Sequence, residues 1–187
     1  MLPAAVNLTA QLAPACTGCS TTQQVSSVHL AVSGVELHPG VIADENSVDW
    51  QEIAPDLARH PVQLELSQNL TSINPAQPAA VSGRIHSGMY YQLRLRLADP
   101  SSPQAMQLSA MHPCDLPGAS CLATADGARQ PERTLDGTSY LHVAMTSPID
   151  VRAGQPNRLH LEFNPEWLLQ YSSTGAIEAA RCFTAVS

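Results

Sequence analysis

Cysteine is the residue type in this chain that most readily supports chemistry. Cys16 and Cys19 form a Cys-x-x-Cys motif, which occurs in redox sites, zinc sites and structural disulfides. A redox motif is expected at the start of a helix that follows a strand, and a zinc site needs two further ligands. This motif lies in a polar stretch, without a second Cys-x-x-Cys or a His-x-x-x-His. We therefore favour a structural disulfide.

The five cysteines predict disulfides and hence an oxidising compartment. Cys114 and Cys121 flank a segment rich in turn residues, so we expect them to be bridged. The other three leave one thiol over, because Cys16 pairs either with Cys182, tying the chain ends together, or with Cys19, closing a local loop. Sequence alone leaves both pairings open.

Three polar residues could bind a divalent metal if their strands are neighbours. Alternation places His142, His160 and Glu162 on outward strand faces, and imidazole and carboxylate groups are ligands for such metals. Histidine on an exposed sheet face is more often simply solvated, so metal binding is a secondary hypothesis.

Arrangements typical of catalysis are missing from the sequence. Ser87-Gly88 lacks the Gly-x-Ser-x-Gly elbow of a hydrolase, and there is no glycine-rich phosphate loop. The acidic pair Asp44-Glu45 lies in a predicted loop, where charged residues are usually solvated. We expect neither an enzyme nor a bound cofactor.

The composition of the chain argues against some classes of binding partner. The 187 residues are 44% hydrophobic but only 13% charged, and the net charge of −7 argues against nucleic acid or an anionic membrane surface. All nine basic residues are arginine, because the chain has no lysine. No apolar run approaches the roughly 20 residues that span a bilayer, so we expect no transmembrane segment.

Alternating hydrophobic residues predict the strands that would position any site. A turn at Ser87-Gly88 leads into the clearest strand. Its predicted inward row is Tyr91, Leu93, Leu95 and Leu97, and its outward row is Tyr90, Gln92, Arg94 and Arg96. In an earlier strand the hydrophobic parity changes at Gly34, which predicts a β-bulge.

The N-terminal strand, residues 2–12, also alternates, with Leu2, Ala4, Val6 and Leu8 on one face. We favour its pairing within its own sheet. Donation to a neighbouring subunit, which would give self-assembly through this strand, is the alternative.

Seven or eight short strands with almost no helix predict an all-β fold, a single antiparallel β-sandwich. We expect one domain over residues 1–187, with a long disulfide-containing loop insertion at 101–137.

Several segments resemble, in order and spacing, the bacterial family of domains of unknown function numbered 4382. They are an opening segment at 5–16, a strand at 28–38 ending in Val-Glu-Leu-His, Trp50, a Val-Gln-Leu-Glu-Leu segment at 62–66, a Gly-x-Tyr-x-Gln-x-Arg-Leu strand at 88–95 and a strand pair at 147–164. The resemblance implies an exported, often lipid-anchored, prealbumin-like or immunoglobulin-like sandwich. It implies no particular activity.

These observations predict a non-enzymatic, exported cell-envelope protein that binds a protein partner as a scaffold or accessory subunit, in the periplasm or outside the cell. The N-terminal residues lack the features of a secretion signal, so we expect a mature chain from which the signal is absent. Binding residues favour loops, and for the partner-binding loop we choose Met111, His112, Leu116 and Leu122.

A carbohydrate-binding module is the first alternative, although such sites use exposed aromatic platforms and only Tyr90, Trp50 and Trp167 qualify. A periplasmic metal-binding protein is the second alternative.

Overall fold

The computed structural model describes residues 2–12, 25–67, 81–99, 101–111, 121–124, 129–131, 140–145, 147–163 and 183–186. Its strands are β1 (Pro3–Leu12), β2 (Val25–His38), β3 (Gln51–Glu52), β4 (Val62–Ser67), β5 (Val81–His86), β6 (Gly88–Tyr90), β7 (Gln92–Leu97), β8 (Cys121–Thr124), β9 (Arg129–Pro131), β10 (Tyr140–Met145), β11 (Ile149–Val151), β12 (Asn157–Phe163) and β13 (Phe183–Val186). The described helical segments are a 3-10 helix (Pro55–Ala58) and the α-helix α1 (Pro103–Met111). The predicted all-β class with little helix is confirmed.

Most described strands form one sheet in the order β5-β1-β12-β13-β10-β7-β2-β8-β9, and β3 and β4 also pair with β2. Strands β6 and β11 form a separate pair. The strand pairs are antiparallel except for β1–β12 and β10–β13, which are parallel. The antiparallel expectation therefore holds for most of the sheet.

One continuous hydrophobic core lies between strands that are distant in the sheet order. It joins Val6 and Leu8 of β1 to Leu30 of β2 and Leu95 of β7, all essentially inaccessible to solvent. Strands β1 and β4 also contact each other. The sheet therefore curves over a shared core, and burial of this apolar surface is the main stabilising contribution to such a fold.

Strand β2 contains the predicted bulge. Its register with β7 shifts between Val32 and Gly34. Val32 before the shift and Val35 and Leu37 after it are all fully buried, although their positions have opposite parity. The prediction at Gly34 is confirmed, because an extra residue is what allows both halves of the strand to face the core.

Strand β1 pairs with its own chain on both edges, in parallel with β12 and antiparallel with β5. Ala4, Val6 and Leu8 are buried, as predicted, whereas Leu2 precedes the strand and is exposed. Own-sheet pairing, the favoured interpretation, is what the structure has.

The long 87–97 strand differs from its prediction. The strand is interrupted at Tyr91, which separates β6 from β7. Tyr90 is 2% exposed and Tyr91 is 39% exposed, the reverse of the predicted rows. The Tyr91 N–H bonds to the His38 carbonyl, and β6 pairs instead with β11. Leu93 and Leu95 are buried as predicted.

The segment predicted as a long loop insertion, 101–137, contains regular structure among its described residues. Helix α1 lies at its start, and β8 pairs with both β2 and β9.

Candidate functional site

The outward row of β7 lies at the centre of the candidate site. Arg94 is directly opposite Glu36 of β2 on one side and His142 of β10 on the other. Arg94 was predicted to face solvent, yet it is only 3% exposed. A buried guanidinium needs compensating partners, since an unpaired buried charge is very costly.

The Arg94 side chain makes hydrogen bonds and also contacts aromatic rings. Its Nε donates to Glu36 Oε2 at 2.7 Å, and its Nη1 donates to the Glu45 carbonyl at 2.9 Å. The guanidinium carbon lies 4.0 Å from the ring centre of Trp50 and 3.8 Å from that of Tyr140. Both contacts are within the range of cation–π attraction, which strengthens when water is excluded.

The segment that shields Arg94 from water is residues 39–50, which we call the cover loop. The outward row of β7 holds it at two points, because Gln92 Nε2 donates to the Gly40 carbonyl at 2.9 Å and Arg94 donates to Glu45. Within the loop, Trp50 Nε1 donates to the Asp44 carbonyl at 3.0 Å. Side chains of β7 therefore fix the loop backbone to the sheet, and the loop's own tryptophan ties its end to Asp44.

His38, the last residue of β2, connects the two ends of the cover loop. The Gly40 N–H donates to His38 Nδ1 at 2.8 Å, so the neutral ring carries its proton on Nε2. Nε2 then donates to Ser47 Oγ at 3.0 Å. The ring also meets Trp50 edge-on, with centroids 5.0 Å apart. One imidazole thus links the Gly40 backbone, next to Val41, to the Ser47 side chain, next to Val48.

The cover loop exposes both apolar and acidic side chains. Val41, Ile42 and Val48 are 73%, 93% and 95% exposed. The three acidic residues of the loop, Asp44, Glu45 and Asp49, are exposed too. Aliphatic side chains displayed this fully from an anchored loop are what a binding surface requires.

A second ion pair lies beside the first. Arg96 Nη2 donates to Glu52 Oε2 at 3.0 Å, and Glu52 Oε1 accepts from the Val35 N–H at 2.9 Å. Burial raises the pKa of Glu52 above its ordinary value, and the Val35 N–H and the Arg96 charge oppose this shift only in part. Arg96 also approaches Gly34 so closely that a Cβ there would lie 2.6 Å from Nη2. The bulge glycine therefore makes room for this ion pair.

The predicted metal ligands are separated in the sheet. Strand β13 lies between β10, which carries His142, and β12, which carries His160 and Glu162. His142 Nε2 is 3.7 Å from Glu45 Oε1, whereas His160 Nδ1 is 2.8 Å from Thr9 Oγ1. For Glu162 the structure describes only the backbone, opposite Thr184 of β13. Within the described ranges, no three His, Cys, Asp or Glu residues form a group that could hold a metal.

Two of the three predicted aromatic platforms, Trp50 and Tyr90, contact other residues of the protein itself. Trp50 packs against Arg94 and His38, and the Tyr90 hydroxyl is 2.7 Å from the His86 carbonyl. Burial raises the pKa of Tyr90. Trp167 lies outside the described residues.

Most of the remaining predicted site residues also lie outside the described part of the chain. These are Cys16, Cys19, Cys114, Cys182, His112 and Leu116. Met111 ends α1, and Cys121 and Leu122 lie in β8, where Leu122 is opposite Val28. The disulfide pairings and the 101–137 contact surface stay predictions.

The cover loop was not singled out by the sequence patterns. One available signal is that Val41, Ile42 and Val48 lie among acidic and turn residues, where aliphatic side chains have no strand to join. The other signal, Trp50 at the end of the same loop, indicates an anchor rather than a ligand platform.

Fold and site together define an all-β domain in which a loop with exposed apolar tips is fastened over a buried arginine. The chain belongs to the family described as "Domain of unknown function (DUF4382)", which matches residues 13–176. The predicted resemblance is therefore confirmed. Comparisons with curated proteins and with solved structures found no significant match. No helix among the described residues is long and apolar enough to cross a membrane.

Proposed function

We propose that this chain is a non-enzymatic, exported β-sandwich domain of the cell envelope that binds another protein through the cover loop. The observation that carries the proposal is the near-complete exposure of Val41, Ile42 and Val48 on a loop whose backbone is anchored. Covering such side chains with a partner removes apolar surface from water, at about 25 cal/mol per Å².

Anchoring favours binding as well as display. A loop that is already ordered loses little conformational entropy when a partner covers it. Here Gln92, Arg94 and His38 each hold the loop by a hydrogen bond, and none of the three apolar tips takes part in those bonds. The tips are therefore free to contact a partner without loss of the loop structure.

Export and scaffolding rest on other features of the chain. Five cysteines in 187 residues are typical of an oxidising compartment, and the family resemblance implies export. The predicted Cys114–Cys121 bridge and the sandwich architecture belong to this proposal. Segment 101–137 remains a second predicted contact surface, as expected for a scaffold or accessory subunit.

Affinity capture from the envelope fraction of the host cell tests the proposal. The bait is the full chain, and the test variant replaces Val41, Ile42 and Val48 with serine. We expect the wild type to retain a specific partner, identified by mass spectrometry, and the triple variant to lose it. Leu2→Ser is the control, since Leu2 is exposed ahead of β1, outside both the cover loop and segment 101–137.

Thermal unfolding checks that the variants fold. Substitution of side chains this exposed should leave the midpoint unchanged. Equal capture by the wild type and the triple variant would contradict the proposal.

A further inference from the structure

We infer that the partner segment covering the 39–50 loop combines apolar side chains with lysine or arginine side chains. This inference rests on the proposed function and specifies the chemistry of the partner. It is carried by the acidic residues that lie next to the exposed apolar residues of the cover loop.

The cover loop has no basic residue of its own to balance its acidic residues. Between Val41 and Trp50 the chain contains Asp44, Glu45 and Asp49 and no arginine. Arg94 lies beneath the loop, but its charge is matched by Glu36 at 2.7 Å and is buried. The three exposed carboxylates therefore give the surface of the loop a negative charge.

Hydrogen bonds hold the Asp44 carboxylate and the Glu45 backbone in place. Asp44 Oδ1 accepts from the Asn46 N–H at 3.2 Å, and the Asp44 carbonyl accepts from Ser47 and Trp50. The Glu45 backbone is fixed by Arg94, while its side chain extends into solvent near His142. Negative charges beside exposed apolar side chains favour a partner that carries complementary charges in matching positions.

The same charges disfavour two other occupants. A second copy related by a two-fold axis would place the same patch against itself, so that six carboxylates would face one another. An anionic lipid surface would be repelled for the same reason. A basic protein segment that also carries apolar side chains satisfies both the apolar tips and the carboxylates.

The absence of lysine from this chain allows a direct test. A carbodiimide couples carboxylates to amines without a spacer, so any lysine cross-linked to this protein must come from the partner. The captured complex is treated with carbodiimide, digested and analysed by mass spectrometry. We expect cross-links from Asp44, Glu45 or Asp49 to partner lysines.

A charge variant extends the test to a partner whose basic residues are arginines, which carbodiimide does not couple. Asp44→Asn, Glu45→Gln and Asp49→Asn are combined, and the association rate with the captured partner is measured at low and high salt. We expect association to slow roughly tenfold at low salt, with the difference disappearing at high salt.

The matched control combines Asp56→Asn, Asp99→Asn and Asp150→Asn, which removes the same charge from exposed positions outside the cover loop. It should associate at close to the wild-type rate.

The outcomes separate the two proposals. A partner lost by the serine triple variant but bound equally fast by the charge variant, without cross-links to the loop carboxylates, overturns this inference and leaves the proposed function standing. Copy-to-copy association through the loop, or loop-dependent binding to phosphatidylglycerol vesicles, also overturns it. Failure of loop-dependent capture contradicts the proposed function, and this inference falls with it.

Discussion

The Arg94 guanidinium and the Glu36 carboxylate form a buried ion pair, with Nε 2.7 Å from Oε2, at directly opposite positions of β7 and β2. The same arginine donates to the Glu45 carbonyl of the cover loop. One side chain therefore joins the sheet, the ion pair and the loop that shields the pair from water. Stability of the domain and order of the proposed binding surface depend on the same contact.

Replacing Arg94 with methionine should destabilise the protein strongly, because the Glu36 carboxylate is left buried without its partner. Breaking a buried pair in this way typically costs about 3–5 kcal/mol. Urea unfolding at neutral pH measures the change. The double variant Arg94→Met, Glu36→Met removes both charges and should be more stable than the single variant. If the double variant is the less stable of the two, the buried pair does not govern stability here.

The sequence predicted the sheet better than it predicted this site. The alternation of Leu93 and Leu95 and the parity change at Gly34 are local patterns, and both predictions are confirmed by burial. The burial of Arg94 is set by the cover loop, whose anchoring atoms are nearly fifty residues away along the chain. Strand alternation places an arginine on the outward face, but it does not indicate whether another segment covers that face.

Gly34→Ala should destabilise the protein, because a Cβ would lie 2.6 Å from Arg96 Nη2 and 2.9 Å from Glu52 Oε2. These atoms end flexible side chains and can shift, so we expect a cost of about 1–3 kcal/mol. Gly83→Ala is the comparison, since its Cβ would meet the Ile53 carbonyl, which is backbone. Urea unfolding should place Gly83→Ala as the more damaging change, and the reverse order would contradict the contact geometry.

Glu52→Gln should alter how stability depends on pH. Burial raises the pKa of Glu52 in the folded state, so the folded protein binds this proton more tightly than the unfolded chain. The contribution of Glu52 to stability is therefore full below its unfolded pKa and falls as pH rises through the folded pKa. The wild type should lose stability relative to Glu52→Gln over that window, measured by urea unfolding from acidic to neutral pH.

Asp99→Asn provides a contrast of opposite sign. Hydrogen bonds from the Ser101 N–H and hydroxyl lower the pKa of Asp99, so the contribution of Asp99 to stability is present above its unfolded pKa and is lost as pH falls.

The Glu52 prediction has a clear contradicting outcome. If the stability of Glu52→Gln depends on pH in the same way as that of the wild type, Glu52 has the same proton affinity in the folded and unfolded states.

Tyr90→Phe and Tyr91→Phe test the break between β6 and β7 directly. The Tyr90 hydroxyl is buried and donates to the His86 carbonyl at 2.7 Å, with Gln51 Oε1 at 2.9 Å. Its removal leaves a carbonyl without that donor, which should cost about 1–2 kcal/mol in urea unfolding. Tyr91 is exposed, so Tyr91→Phe should change stability by less than about 0.5 kcal/mol.

A spectroscopic titration gives these two variants a second measurement. Burial raises the pKa of Tyr90, so Tyr90→Phe should remove a tyrosine that ionises above the ordinary range. Strand alternation alone predicts the opposite assignment, with Tyr91 in the core and Tyr90 in solvent. A larger stability loss in Tyr91→Phe than in Tyr90→Phe would therefore support an uninterrupted strand. It would also contradict the hydrogen bond from the Tyr91 N–H to the His38 carbonyl, at the start of the cover loop.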